Sequence, residues 1–341
     1  MFFCYPFGGS RPEHLCNYDV NKNQVNYTFF YDQEPIHLDI HTPLFESLIR
    51  RNGDITVNRG AIITSERDSE FVEQVCSQFN LDAYYYFFHG WAALDWFRGY
   101  NRSYLMPKPC DRTITKSFIS PNRIIGGKRQ HRVELMYYLL KREISNARVS
   151  FPDICPVEFV HIQNLALEYP QYPDMVSTFQ KADLPWNFPD EEGHPMHSCW
   201  LSLFDESAES LAYVVTETVF TGRRHHLTEK TFKPICLGMP FVLASTAGSL
   251  EYLRSYGFKT FDGIWDEGYD KETDDSKRLV MIADLLKQFD SMNDRARQEI
   301  FDLATPIIKH NYNHFYDGGF ERMLWKELNN MLATIERDFN D

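Results

Sequence analysis

The stretch 214-VVTETVFTGRRHHLTEKTFKPICLGMPFVLASTAGSLEYLRSYGFKTF-261 alternates apolar, β-prone runs with amphipathic, helix-prone ones. Its order is strand, polar loop, helix, strand, loop, helix. LAYVVTE ends a buried strand at Glu217, LTEKTFKPICLG forms the next helix, PFVLAS a second strand and GSLEYLRSYG a second helix. Continuous apolar strands separated by helices are the signature of a parallel sheet covered on both faces, so this segment predicts an α/β fold.

The same stretch carries the densest chemistry. Thr228 is a good N-cap for the helix that follows, and Lys230 falls in its first turn. A helix start exposes unpaired N–H groups and the positive end of the dipole, so a lysine there is unfavourable unless an anion visits. Thr228 and Lys230 therefore predict a diphosphate site. Glu229 is placed to accept hydrogen bonds from ribose hydroxyls. Pro234 lies past the first turn and predicts a kink. Gly248, with Ser245 and Thr246 in the next strand-to-helix loop, would let backbone approach a ligand or simply make a tight turn.

Towards the N-terminus the rhythm repeats. VNYTFFYDQEP is a strand ending at Asp32, GAIITSERDSEFVEQVCSQF reads as strand, turn and helix, and DAYYYFFHGWAALDWF as a strand over Tyr84–His89 followed by a helix. The proline-containing MPKPCDRT is the expected linker. We therefore expect two Rossmann-like domains, residues 1–110 and 111–341. The second opens with the strand KSFISPNR and the periodic helix HRVELMYYLLKREI. Residues 152–200, rich in Pro, His and acidic residues, show little periodicity and read as an excursion near the cleft or an irregular surface segment. Three helices are expected near the end, over Asp275–Phe289, Asn293–Asn311 and Gly319–Phe339, the last crossing back onto the first domain.

With 341 residues the chain has ample length for two cores. Its 27 Phe and 19 Tyr exclude a disordered composition. No apolar run is long enough for a membrane helix, and the opening MFFCYPFGGSRPEH lacks a secretion signal, so no membrane partner and a cytosolic location are expected, the host cytoplasm for a viral chain. Seven cysteines without a CxxC pair predict free thiols. A net charge of −13 argues against a general nucleic-acid binder. Residues 110–142, however, hold eight basic and two acidic side chains, which suits a small anionic ligand. The acidic series Asp262 to Asp275 reads as solvated surface.

Glu217, Thr228-Glu229-Lys230, Gly238 and Pro240-Phe241-Val242 resemble the donor-binding motif of α1,3-fucosyltransferases. SFISPNR with HRVELMYYLL resembles the strand, turn and Arg-bearing helix that opens the donor domain of that family. The resemblance implies a GT-B fold, two Rossmann-like domains facing a cleft, with Glu229 on the ribose and Lys230 and Arg132 on the diphosphate. It also implies direct displacement with inversion, using no metal and no cofactor beyond the nucleotide-sugar donor. His226 and Thr218 stand where the family has Tyr and Asn. FFYDQEPI, ITSERDSE and FFHGWAALDW are similar to uncharacterised glycosyltransferase-like proteins of large tailed bacterial viruses, a likeness that spans most of the chain and names no reaction.

Sugar transfer needs a base for the acceptor hydroxyl, expected at the carboxyl end of an N-terminal-domain strand. Glu34 is the favoured base and Asp32 and Asp95 are its rivals. His89 is a further option, as base or as hydrogen-bond donor to the sugar. The acceptor implied is a glycan or a hydroxymethylated pyrimidine in viral DNA. The contrasting expectation is a non-catalytic nucleotide-binding or virion interaction protein on the same fold. His194, His197 and Cys199 have zinc-ligand types but no evident fourth ligand, so no metal site is expected. The absence of Asp-x-Asp weakens a metal-dependent alternative.

Overall fold

The computed structural model describes residues 28–32, 34–52, 60–98, 112–188 and 201–340. The fold is mixed α/β, with two wholly parallel sheets and, among the described residues, twelve α-helices. The chain divides into two compact units. The first comprises Met1–Ala92, Gly222–His226 and Glu321–Asp341; the second comprises Ala93–Thr221 and Leu227–Phe320. The division falls earlier than residue 110, and it gives the first unit both the last helix from Glu321 onward and a five-residue piece of the loop after Glu217.

The first unit contains β1 (Thr28–Asp32), β2 (Gly60–Thr64) and β3 (Leu81–Tyr85) in that order, joined by α1 (Leu38–Asn52) and α2 (Glu70–Phe79). Phe30 pairs with Ile62, and Ile62 with Ala83. Ile36, Leu44, Phe45, Ile62, Val72, Val75 and Phe79 form one core, because the apolar side of α2 repeats at helical spacing. Ser69 caps α2 by accepting from the Val72 amide, and Asn80 closes it in the left-handed region. The strand expected over Tyr84–His89 stops at Tyr85. Phe88 starts α3 (Phe88–Arg98), which places His89 in a helix.

In the second unit the strands are β4 (Lys116–Pro121), β5 (Arg148–Ser150), β6 (Ser210–Thr216) and β7 (Phe241–Ala244), in the order β5-β4-β6-β7. Every residue of β6 and β7 is buried, as their unbroken apolar runs predict. α4 (Gln130–Lys141) connects β4 to β5, and α8 (Glu229–Leu237) connects β6 to β7 in the opposite direction along the sheet. The crossovers therefore diverge between β4 and β6. α8 continues past Pro234 to Leu237 and buries Phe232, whose ring lies 5.1 Å from Phe320 and 5.9 Å from Phe315.

Residues 152–188 are not an irregular surface excursion. Cys155, Ile162, Leu165, Tyr169, Met175 and Phe179 pack with Val133, Met136 and Tyr137 of α4 into a second core, through the short helices α5 (Ile162–Ala166) and α6 (Met175–Gln180). α7 (Phe204–Glu209) leads into β6, and α9 (Ser249–Ser255) follows β7. The three closing helices are α10 (Asp275–Ser291), α11 (Asp294–Tyr316) and α12 (Gly319–Asn340). The acidic series before α10 is only partly solvated. Glu267 and Asp270 are buried, Glu267 accepting from Thr260 Oγ1 and the Phe261 amide at 2.7 Å each.

Candidate functional site

In an open parallel sheet, ligands bind outside the carboxyl ends of the strands at the point where the connections diverge. Here that point lies beyond β4 and β6, where Asn122 and Glu217 end their strands. Asn122 Oδ1 accepts from Thr216 Oγ1 at 2.9 Å, which joins the two strand ends. Glu217 is fully buried, and its carboxylate is saturated. Oε1 accepts from the Thr228 amide (3.0 Å) and Thr231 Oγ1 (2.6 Å), while Oε2 accepts from Thr228 Oγ1 (2.6 Å) and the Thr218 amide (3.2 Å). A buried carboxylate is thereby placed against the positive end of α8, which is where the helix dipole stabilises it. Glu217 holds the loop and helix start together rather than facing a ligand directly.

Thr228 adopts the extended N-cap conformation, and its Oγ1 accepts from the Lys230 amide. Lys230 folds back over this start. Its Nζ lies 2.9 Å from Glu229 Oε1, 3.2 Å from Thr228 Oγ1 and 3.4 Å from Thr218 Oγ1. The lysine side chain is 30% exposed and that of Glu229 only 7%, so the lysine is the more accessible member of this pair.

Arg132 differs from its expected role. Its guanidinium is buried and donates to three carbonyls: Nη1 to Ile124 (2.7 Å), and Nη2 to Thr216 (2.7 Å) and Glu217 (3.3 Å). Burial first, and then Arg129, pull its pKa down to about 9, against Glu217 and Glu229, which raise it. The head group braces the ends of β4 and β6 instead of being displayed to a phosphate. Beside it, His131 stacks on Phe220 at 4.9 Å, and its Nε2 donates to the Glu217 carbonyl at 3.1 Å. Complete burial holds the His131 pKa well below the usual histidine value.

Gly248 has φ +80, a conformation suited to glycine, and its amide donates to the Asp270 carbonyl at 2.7 Å. Asp270 Oδ1 accepts from the Leu250 amide at 3.0 Å, so the start of α9 is capped from within the chain. Gly248 therefore shapes a turn, and its amide is already engaged.

His226 belongs to the first unit, where its fully buried ring meets that of His89 edge-on at 5.0 Å. The resemblance to the donor motif instead implies a place for it beside Thr228 at the donor. Asp32 ends β1 opposite Thr64, and its side chain lies outside the described residues. Glu34 follows and is partly buried, whereas Asp95 is exposed on α3 and falls in the second unit. The base candidates are thus distributed, with Asp32, Glu34 and His89 grouped in the first unit at the carboxyl ends of β1 and β3.

Sequence reasoning missed Glu66, Arg224, His131 and Thr231. The Glu66 carboxylate is buried and accepts from Arg224 Nη1 (2.9 Å), Ser69 Oγ (2.7 Å) and the Ile36 amide (3.2 Å). Burial raises its pKa, and Arg224 is the largest opposing influence. In sequence both residues sit in charged, turn-like stretches, and only their partnership distinguishes them from surface. His194, His197 and Cys199 lie outside the described residues, and among the described residues no cluster of three His, Cys, Asp or Glu could hold a metal ion. No described helix is long and apolar enough to cross a membrane. Compared with protein-family models, with curated proteins and with solved structures, the chain matches none.

Proposed function

We propose that the chain is a metal-independent glycosyltransferase of the GT-B kind, whose second unit binds a nucleoside-diphosphate sugar outside the carboxyl ends of β4 and β6. One observation carries the reading: a half-buried lysine is held across the first turn of α8, on two threonine hydroxyls, at the point where the crossovers diverge. Lys230 is the cation for the diphosphate, and Glu229 exchanges it for ribose hydroxyls when the donor enters. Arg132 supports the same place from behind, by fixing the backbone of Thr216 and Glu217.

In the transfer, the acceptor oxygen bonds to the anomeric carbon as the bond from that carbon to the diphosphate oxygen breaks. The hydroxyl proton passes to a carboxylate, for which Glu34 is our choice, and the charge released on the diphosphate is met by Lys230 and the α8 dipole. Inversion at the anomeric carbon follows from a single displacement. The acceptor is a glycan or a hydroxymethylated pyrimidine in DNA.

The test is calorimetric binding of uridine, guanosine, adenosine and thymidine diphosphates, followed by transfer assays from their sugars with and without hydroxymethylated DNA. A charge-assisted hydrogen bond contributes about 1.5–3 kcal/mol, so Lys230→Ala should weaken diphosphate binding by roughly 10- to 150-fold. Equal affinity in the variant would remove the site. Tight binding without turnover would instead select a nucleotide-binding protein without catalysis, a reading favoured by the three carbonyl bonds that already hold Nη1 and Nη2 of Arg132.

A further inference from the structure

The loop between β6 and α8 runs from Glu217 to Thr228, and its two ends meet: Thr218 and Thr228 both contact Lys230 Nζ and both donate to the Glu217 carboxylate. Its middle does something else. The chain leaves the second unit after Thr221 and re-enters it at Leu227, and Gly222–His226 is part of the first unit. There the Arg67 and His225 backbones exchange hydrogen bonds of 3.0 and 2.8 Å, and the Glu70 amide donates to the Arg223 carbonyl at 3.0 Å. Gly222, at φ +83, lies so close to the Phe71 ring that a methyl group in its place would fall 2.6 Å from a ring carbon.

Arg224 is the buried cation of this segment. Only 5% of its side chain is exposed, and its guanidinium carbon lies 4.4 Å from the Phe71 ring centroid. Nη1 donates to Glu66 Oε1 (2.9 Å) and to the Ile36 carbonyl (3.0 Å). Glu66 in turn takes the Ile36 amide and the hydroxyl of Ser69, the N-cap of α2. One buried ion pair thus fastens the loop to the segment before α1 and to the start of α2. The pair belongs to the first unit and Lys230 to the second, and the Glu217–Thr228 loop is the chain that links them.

We propose that Arg224 is a positioning residue for the nucleotide site: by anchoring the middle of the Glu217–Thr228 loop on Glu66, it fixes the two ends of that loop that hold Lys230. An unanchored loop of this length samples many conformations, and each ordered residue costs entropy. With its middle fixed, only Thr218–Thr221 and Leu227 remain to be ordered, so Thr218, Thr228 and Lys230 are arranged before a ligand arrives. What Lys230 receives rests on the function proposed above; the positioning itself does not.

The experiment uses the full chain and two readouts, amide exchange over Thr228–Thr231 and calorimetric binding of the nucleoside diphosphate that the wild type binds best. Arg224→Ala should accelerate exchange there at least tenfold and weaken the nucleotide by a similar factor, with Arg224→Lys recovering part of both. Arg223→Ala, which removes an exposed pair with Glu73, should leave both unchanged. A second variant guards against misfolding: two glycines inserted between Thr221 and Gly222 leave the Arg224–Glu66 pair intact but slacken the connection. It should reproduce the exchange and affinity changes at an unaltered melting temperature. Wild-type exchange over Thr228–Thr231 in the insertion variant, or in a folded Arg224→Ala protein, would overturn the inference. A wild type that binds no nucleoside diphosphate would end the proposed function while the exchange result still decides the positioning role.

Discussion

Glu217 and His131 adjoin at the end of β6 and bury ionisable groups in opposite ways. The carboxylate accepts from four donors, whereas the imidazole gives Nε2–H to a carbonyl, lies against Phe220 and is held neutral by burial. The unfolded chain takes up a proton on this histidine near pH 6.5, and the folded chain does so only well below that value. The stability from keeping it neutral is therefore complete above about pH 6.5 and declines as pH falls, by about 1.4 kcal/mol per pH unit. His225, also lowered by burial, acts in the same direction, while Glu66, Glu134, Glu267 and Asp270, all raised, act oppositely. Comparing wild type with His131→Asn cancels these contributions. In urea unfolding between pH 7.5 and 5, the variant should lose stability less steeply by about one proton; identical slopes would mean that His131 takes up its proton at the same pH in the folded and unfolded chains.

At the scale of elements, the start of α8 is held by two threonines on one carboxylate. Thr228→Val deletes the hydroxyl that accepts from the Lys230 amide and donates to Glu217 Oε2, so it removes a cap and takes a donor from a buried anion. The expected loss is about 1–3 kcal/mol of unfolding free energy, measured by chemical denaturation, and a loss below about 0.3 kcal/mol would contradict this account of the cap. The N-cap itself was legible, because Thr-Glu-Lys before an amphipathic run is a local signal. What Glu217 does was not, since its partners lie eleven and fourteen residues further on and meet it only through the fold. The same contrast recurs elsewhere. β6, β7 and the three closing helices declare themselves through unbroken or periodic apolar runs, whereas α5 and α6 are too short to show a period and are defined by packing on α4. Arg132 was visible as a basic residue in a helix, yet whether it faces a ligand or three carbonyls depends on where β6 ends.

At the scale of the molecule, the first unit is completed by the last residues of the chain. Phe339 packs with Ala61 and Tyr84, and Met331, Ile335 and Ile63 join them. Polar contacts add direction: Glu327 Oε1 accepts from the Phe87 amide at 2.8 Å, Asp338 Oδ2 accepts from Tyr84 Oη at 3.1 Å, and Trp325 meets Trp91 edge-on at 4.9 Å. Burying Phe339 contributes about 1.5–3 kcal/mol and the partly buried Met331 and Ile335 add less each, a total of several kcal/mol that is a large share of the 5–15 kcal/mol that separates a whole domain from its unfolded state. A three-stranded sheet deprived of this cover cannot retain its fold on the α1 and α2 side alone. A chain ending at Phe320 should therefore lose protease resistance across residues 34–92 by about a hundredfold or more in cleavage rate. The second unit has its own cores under α4 and α8, so residues 112–188 and 201–320 should stay resistant. Mass spectrometry of a thermolysin digest distinguishes the outcomes: equal protection of residues 34–92 in both chains would show that α12 covers the sheet without stabilising it.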